Sequence, residues 1–297
     1  MRTPVSRVGN KTPILHILYA LFPLEYSRFI DVFGGSGSVL LGLPTEAPFE
    51  VYNDFDGDLV NLFRCLRDRN LALLRELGFL TLNARDDFKV WEKMIQGNME
   101  DAAMRYLKEE LELTEIMLLP ATAQEAKRLL LGRANDHDVR RAATFLKLHR
   151  FSYASKGSSF AGQPFDIYKL HDLIVQAERR LRNVVIENQD FQELILHYDR
   201  EGALFYLDPP YLDSEHMYGF PFDWDDHVRL RKTLGQIQGK FLLSYNDCPE
   251  IRALYDNYPM FDFVRDHPMT HQFEKGRKFP ELLIANYDLY ERERTQP

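Results

Sequence analysis

The sequence is poor in cysteine: only Cys65 and Cys248 occur in 297 residues, far apart and in no C-x-x-C pair. That excludes a thiol-rich zinc site and points to a reduced, cytoplasmic setting, with no metal expected. Long apolar runs are also missing. The best candidate, residues 13–24, is broken by Pro23 and is too short to span a bilayer. With Arg2, Arg7 and Lys11 ahead of it, this stretch imitates a signal peptide, but no small-residue cleavage site follows. It reads as an amphipathic helix over about 12–22. Positive charge is in deficit, with 37 Lys and Arg against 45 Asp and Glu and a net charge of −8. A uniformly basic coat for nucleic acid is excluded, while a local basic face is not. Low-complexity tracts are absent, and 45% hydrophobic with 28% charged residues is ordinary for a globular protein. The length suits one large α/β domain with an insertion, or two domains.

What is present begins with Leu204-Phe205-Tyr206-Leu207, an apolar run that reads as a buried parallel strand. It leads straight into Asp208-Pro209-Pro210-Tyr211. The prolines have no N–H for a ladder, so they end the strand and leave carbonyls free. A carboxylate, bare carbonyls and a flat ring are thereby expected at the carboxyl end of a strand, where open α/β sheets bind ligands. Such a set suits an aromatic amino group. Its lone pair is delocalised into the ring, and acceptors on its N–H groups pull the nitrogen toward sp3 character. Asp208 and the Pro209 carbonyl are suitable acceptors, and Tyr211 can stack on the base once it leaves the duplex. The plainer alternative is a proline turn with Tyr211 in the core.

Two further strand ends carry ligand-shaped turns. Phe29–Phe33 reads as the first strand and is followed by Gly34-Gly35-Ser36-Gly37 and a helix, a turn that lets a ligand approach the backbone. A dinucleotide fingerprint wants another glycine where Leu40 stands, so NAD is disfavoured. The second strand, over 49–54, ends in Asp54, placed to accept from ribose hydroxyls. Asp56 or Asp58 equally fits a helix N-cap. A third strand at 184–188 precedes Asp190-Phe191, readable either as an acceptor and a ring for adenine or as an N-cap with a core aromatic.

Residues 70–165 read as helical, with charge polarised along the chain. Acids dominate 86–126; Arg140, Arg141, Lys147, Arg150 and Lys156 belong to the basic stretch that follows. This is the footprint expected of phosphate contacts, against the alternative of a solvated helix face. The loop from Phe151 to Phe160 mixes aromatics, small polar residues and Lys156 in a way suited to a groove. Further strands are expected at 241–245, 261–265 and 281–287. An aromatic loop with Tyr218, Phe220, Phe222 and Trp224 reads as a cover or as packed rings. His267, His271, Lys275, Arg277 and Lys278 form a basic loop suited to phosphate.

Taken together, D-P-P-Y at 208–211, F-x-G-x-G at Phe33–Gly37, Asp54, the D-F pair at 190–191 and the closing strand at 281–287 resemble the Dam-like S-adenosylmethionine-dependent N6-adenine DNA methyltransferases. Gly9, Asn10 and Lys11 match that family's N-terminal G-G-K loosely, with Arg7 where it usually has Trp. The resemblance implies an α/β fold with a seven-stranded, mostly parallel, Rossmann-like methyltransferase sheet. The catalytic domain would span 1–69 and 166–297, with a helical target-recognition insertion at 70–165. It implies Asp208, Pro209, Pro210 and Tyr211 as catalytic residues. Arg7, Lys11, Asp31, Phe33, Gly35, Gly37, Asp54, Asp190, Phe191 and Asp208 would bind S-adenosyl-L-methionine. Arg140, Arg141, Lys147, Arg150 and Lys156 are expected to contact double-stranded DNA, and a cognate restriction nuclease is a possible partner. Rival readings are an RNA adenine or protein amide methyltransferase, the latter usually with Asn at the position of Asp208, and a module that keeps the fold without catalysis.

Overall fold

The structure is a computed structural model that describes residues 1–7, 9–79, 100–133, 138–152, 167–212, 221–266, 278–291 and 294. Lys156, the loop at 153–160, Tyr218, Phe220, His267, His271, Lys275 and Arg277 lie outside the described residues. The chain parts into two compact units, one of residues 1–10 and 56–182, the other of residues 11–55 and 183–297.

The second unit is built on a seven-stranded sheet. Its strands are β1 (Arg28–Asp31), β2 (Phe49–Asn53), β3 (Val184–Glu187), β4 (Ala203–Leu207), β5 (Lys240–Asn246), β6 (Met260–Asp266) and β7 (Lys278–Ala285), in the order β3-β2-β1-β4-β5-β7-β6. The five strands from β3 to β5 in this order run parallel, and β7 pairs antiparallel with both β5 and β6. The mostly parallel seven-stranded sheet expected from the sequence is therefore present. All residues of β4 are buried, as the middle strand of a sheet covered on both faces must be.

Alternation along the strands separates the two faces. Ile30, Val51, Phe205, Leu207, Leu243 and Ile284 join one core with Leu194, Ile195, Leu230 and Ile251 from the flanking helices. On the other face Phe29 meets Phe22, ring centroids 5.7 Å apart, just past the helix Leu15–Leu21. Farther along that face, at the carboxyl edge, polar residues take over. The chain order reverses between β1 and β4, which opens the crevice where ligands of such sheets bind.

The first unit is helical in its described residues. Gly57–Asp68 packs against Val139–Phe151 and Ile167–Leu181, and so does Asn70–Phe79. Glu100–Met117 pairs with Pro120–Arg133 as a hairpin. In Ile167–Leu181 the buried Leu170, Ile174, Ala177 and Leu181 recur at helical spacing and form one apolar stripe. Asp56 caps the helix Gly57–Asp68, accepting from the amides of Asp58 and Leu59, and Asp138 caps Val139–Phe151. The segment 70–165 falls within this unit, which also takes in the helices on either side because their buried faces pack there. No helix among the described residues is long and apolar enough to cross a membrane.

Candidate active site

The site is assembled in the sheet unit from the ends of β1, β2 and β4. Asp31 closes β1, and Val32 continues its line by donating its N–H to the Tyr206 carbonyl at 3.0 Å. The chain then turns through Gly34–Gly37, with φ of 53° at Gly35 and 67° at Gly37. Left-handed backbone of this kind is open to glycine at little steric cost. Gly34 answers a different need: a Cβ there would lie 2.3 Å from Tyr52 Cε2 and 2.9 Å from the Asn53 carbonyl. Tyr52 fixes the turn in return, donating its hydroxyl to the Gly35 carbonyl at 2.8 Å. Over Gly35 itself a Cβ would meet nothing nearer than the Phe33 carbonyl at 3.9 Å, so that face of the turn is open.

Asp54 reaches the same turn from the end of β2, its Oδ2 accepting the Gly35 N–H at 2.8 Å. Asn53 is a tie with no motif of its own. Its Nδ2 donates to the carbonyls of Val32 and Gln189, and its Oδ1 accepts from the Gln189 N–H. The ends of β1, β2 and β3 are thereby fastened together.

At the end of β4, Asp208 forms an ion pair with Lys11, Nζ to Oδ1 2.9 Å. Lys11 is 3% exposed. Its ammonium also donates to Tyr211 Oη at 2.8 Å and lies 4.8 Å from the Tyr211 ring centre. The Tyr211 hydroxyl is shared with Ser244 of β5 at 2.9 Å. Tyr206, two residues before Asp208 and fully buried, stands in register with Asp31 across β1 and β4. Burial raises the Asp31 carboxyl well above the usual carboxylate range, and the nearby Asp208 and Asp54 push the same way. Asp208 and Asp54 thus both act on Asp31, beside an open glycine turn.

Asp190 caps the helix Phe191–Tyr198 through the Gln192 amide. Arg229 grips its carboxylate with Nη1–Oδ1 at 2.7 Å and Nη2–Oδ2 at 2.9 Å. Burial works to raise the Asp190 carboxyl, but Arg229 and the Gln192 amide outweigh it and hold the group below its ordinary value. Arg229 also lies 4.0 Å over the Phe191 ring. Phe191, Phe33 and Phe222 form an aromatic cluster, with centroids 5.7 to 5.9 Å apart. Asp190 is therefore a helix N-cap, one of its two readings. Arg229 is a further residue that sequence reasoning missed, since no pattern links it to a carboxylate 39 positions earlier.

A protein-family model for the D12 class N6 adenine-specific DNA methyltransferases matches residues 8–270 of this chain. The chain belongs to that family. It is thus an adenine-specific DNA methyltransferase, whose substrate is DNA and which draws on a methyl donor. Among curated relatives, a type II methyltransferase of Lactococcus lactis subsp. cremoris, M1.LlaDCHI, is 22% identical over 94% of this chain and 93% of its own. The type II methyltransferase M.CviBI of Paramecium bursaria Chlorella virus NC1A is 23% identical, covering 97% of this chain and 100% of its own. The modification methylase LlaI of Lactococcus lactis subsp. lactis is 22% identical over 98% of this chain and 44% of its own length.

Within this methyltransferase the residues expected at the site divide between the units. Lys11, Asp31, Phe33, Gly35, Gly37, Asp54, Asp190, Phe191 and Asp208 to Tyr211 lie in the sheet unit. Arg7 lies in the helical unit, paired with Asp56 at 2.8 Å. Arg140 is partly exposed, with Nε 3.8 Å from the buried Glu76. Arg141 pairs with Asp58, Nη2 to Oδ2 2.9 Å, and Arg150 donates to the Pro4 carbonyl at 2.9 Å. Lys147 corrects an expectation. It is 1% exposed and donates to the Leu77 carbonyl at 2.9 Å, and burial lowers its ammonium to about 7. A side chain in the core of the helical unit is withdrawn from the phosphate contacts expected of the basic stretch.

Proposed function

We propose that the methyl donor is S-adenosyl-L-methionine and that the acceptor is the N6 amino group of an adenine rotated out of duplex DNA. The residues at the glycine turn fit a cationic donor. Three acids converge there, and one of them, Asp31, lies buried without a well-formed hydrogen bond. The backbone over Gly35 is open. In this reading Asp31, Phe33, Gly35, Gly37 and Asp54 hold the donor, and Asp190 and Phe191 flank its base. When bound, S-adenosylmethionine supplies an electrophilic methyl group on a sulfonium.

The chain's own residues do the rest. Rotating the adenine out costs a few kcal/mol, roughly, and Tyr211 offers its ring as the new stacking partner. Asp208 and the Pro209 carbonyl accept from the amino group and localise its lone pair. Most of the rate gain comes from this positioning and from exclusion of water. The helical unit, including Arg140, Arg141 and Arg150, carries target recognition, with Lys156 as a further phosphate contact. Its relatives are named type II methyltransferases and a modification methylase, and by analogy the protein acts as a DNA modification enzyme.

One observation carries this reading: β4, which ends in Asp208, pairs directly with β1, the strand that leads into the glycine turn held by Asp54. Its test is transfer of labelled methyl from S-adenosylmethionine to DNA by purified protein. Asp208→Ala should lose transfer by roughly a hundredfold or more while keeping donor affinity. Normal transfer by that variant refutes the assignment.

A further inference from the structure

Asp31 is the unusual member of the acid cluster. Asp208 has the Lys11 ammonium at 2.9 Å, and Asp54 has the Gly35 N–H at 2.8 Å. Asp31 is 1% exposed, and neither of its oxygens makes a well-formed hydrogen bond. From the helix Ser38–Gly42 the Leu40 N–H offers it a weak hydrogen bond, which favours the charged form but is outweighed by burial and by Asp208 and Asp54. Across β4 its registered neighbour is Tyr206, whose hydroxyl is also buried without a hydrogen-bond partner. Across β2 its registered neighbour is Tyr52, whose hydroxyl is given to Gly35. The charged groups that act on it are Asp208 and Asp54, two further acids, while the Lys11 ammonium is engaged by Asp208 and Tyr211. A buried carboxylate so poorly supplied with donors and close to two other acids is disfavoured, and it lowers its free energy by keeping its proton.

We infer that Asp31 is a neutral carboxylic acid in the ligand-free protein and that seating the cationic methyl donor drives its proton into solvent, so donor binding and proton release are linked. The balance is simple: the O–H bond of Asp31 breaks, the pair stays on the carboxylate, and the proton leaves to buffer while the donor's positive charge takes its place. The inference rests on the donor assignment made above and adds a property that assignment does not require. Its first consequence is that donor affinity rises with pH, by up to about tenfold per pH unit, until Asp31 is ionised in the free protein as well. A second concerns the ligand-free fold. A carboxyl raised in the folded state binds its proton there more tightly than in the unfolded chain. The contribution of Asp31 to stability is therefore full below the unfolded value and is lost as pH rises through the folded one.

The experiment is calorimetric titration of the whole protein with S-adenosylmethionine in two buffers of different ionisation enthalpy, for wild type and Asp31→Asn. About one proton released per donor by wild type and none by the variant is the expected result. Equal release by both overturns the inference and leaves the donor assignment standing. Absence of binding by wild type overturns both. Infrared spectra of wild type alone supply a check that does not depend on the variant folding: donor addition should remove a protonated-carboxyl band. In the ligand-free protein, denaturant unfolding should show wild type losing stability relative to Asp31→Asn as pH rises above about 4. Identical slopes would also count against the inference.

Discussion

Lys11 Nζ sits 2.9 Å from Asp208 Oδ1, so the acid of the D-P-P-Y turn is held by a nearly buried ammonium. The same ammonium reaches Tyr211 and so fixes the acid and the ring together. It presents N–H donors to Asp208 much as a target amino group would. Replacing Lys11 with Met leaves Asp208 within the influence of Asp31 but without its cation. The carboxyl should then take up a proton more readily. Single-turnover methyl transfer at pH 7 is expected to fall by roughly tenfold or more, with the acid limb of its pH profile moved upward. An unchanged pH profile would show that Lys11 does not tune the acid.

The glycine turn separates two kinds of constraint. Gly34→Ala drives a methyl group against the Tyr52 ring and the Asn53 carbonyl, an overpacking expected to cost about 1–3 kcal/mol. Gly35→Ala meets open space but must hold φ of 53°, at about 1–2 kcal/mol. Thermal unfolding should show both losses. A methyl at Gly35 also enters the open face of the turn, so donor affinity measured by calorimetry should fall further there than stability alone explains.

Arg229 clamps Asp190, and its removal has a signed pH consequence. A carboxyl held below its ordinary value in the folded state adds stability above the unfolded value, and that stability is lost as pH falls through the folded one. Arg229→Ala should therefore lower stability at neutral pH by about 1 kcal/mol or less, since both partners are partly exposed. It should also flatten the loss of stability below about pH 4. Urea unfolding from pH 3 to 7 measures both. An unaltered acid slope would mean the clamp does not hold Asp190 down.

Lys147 gives the same sign of pH dependence in a higher window. Its ammonium falls to about 7 in the folded protein, whereas an unfolded lysine titrates near 10.4, roughly. The unfolded chain then binds the extra proton between those values, and wild type should gain stability as pH rises from about 7 toward about 10. Lys147→Met removes that gain and, by filling the site with an apolar chain of similar length, should be no less stable at pH 7. Denaturation midpoints at pH 7 and 9 test it, and equal pH dependence in both proteins would count against it.

The strands were legible because a parallel sheet covered on both faces demands continuous apolar runs, as in Leu204–Leu207. Strand-end chemistry was legible because prolines, glycines and acids punctuate those runs at Asp208–Tyr211, Gly34–Gly37 and Asp54. Long-range pairing was not. Nothing in the local sequence ties Lys11 to Tyr211 200 positions away, or Arg229 to Asp190. Lys147 was misread for a physical reason. A cation on an amphipathic helix has the same one-dimensional signature whether its head meets solvent or a buried carbonyl, and only the packing of Asn70–Phe79 against Val139–Phe151 decides. Asn53 escaped notice because a strand-end amide has no pattern of its own, although its three hydrogen bonds hold the sheet edge together.

β2 and β3 are hydrogen-bonded neighbours, yet residues 56–182 intervene between them in sequence. The entropy of closing a connection grows only slowly with its length. The helical excursion can therefore change in length at little entropic cost to the pairing of β2 with β3.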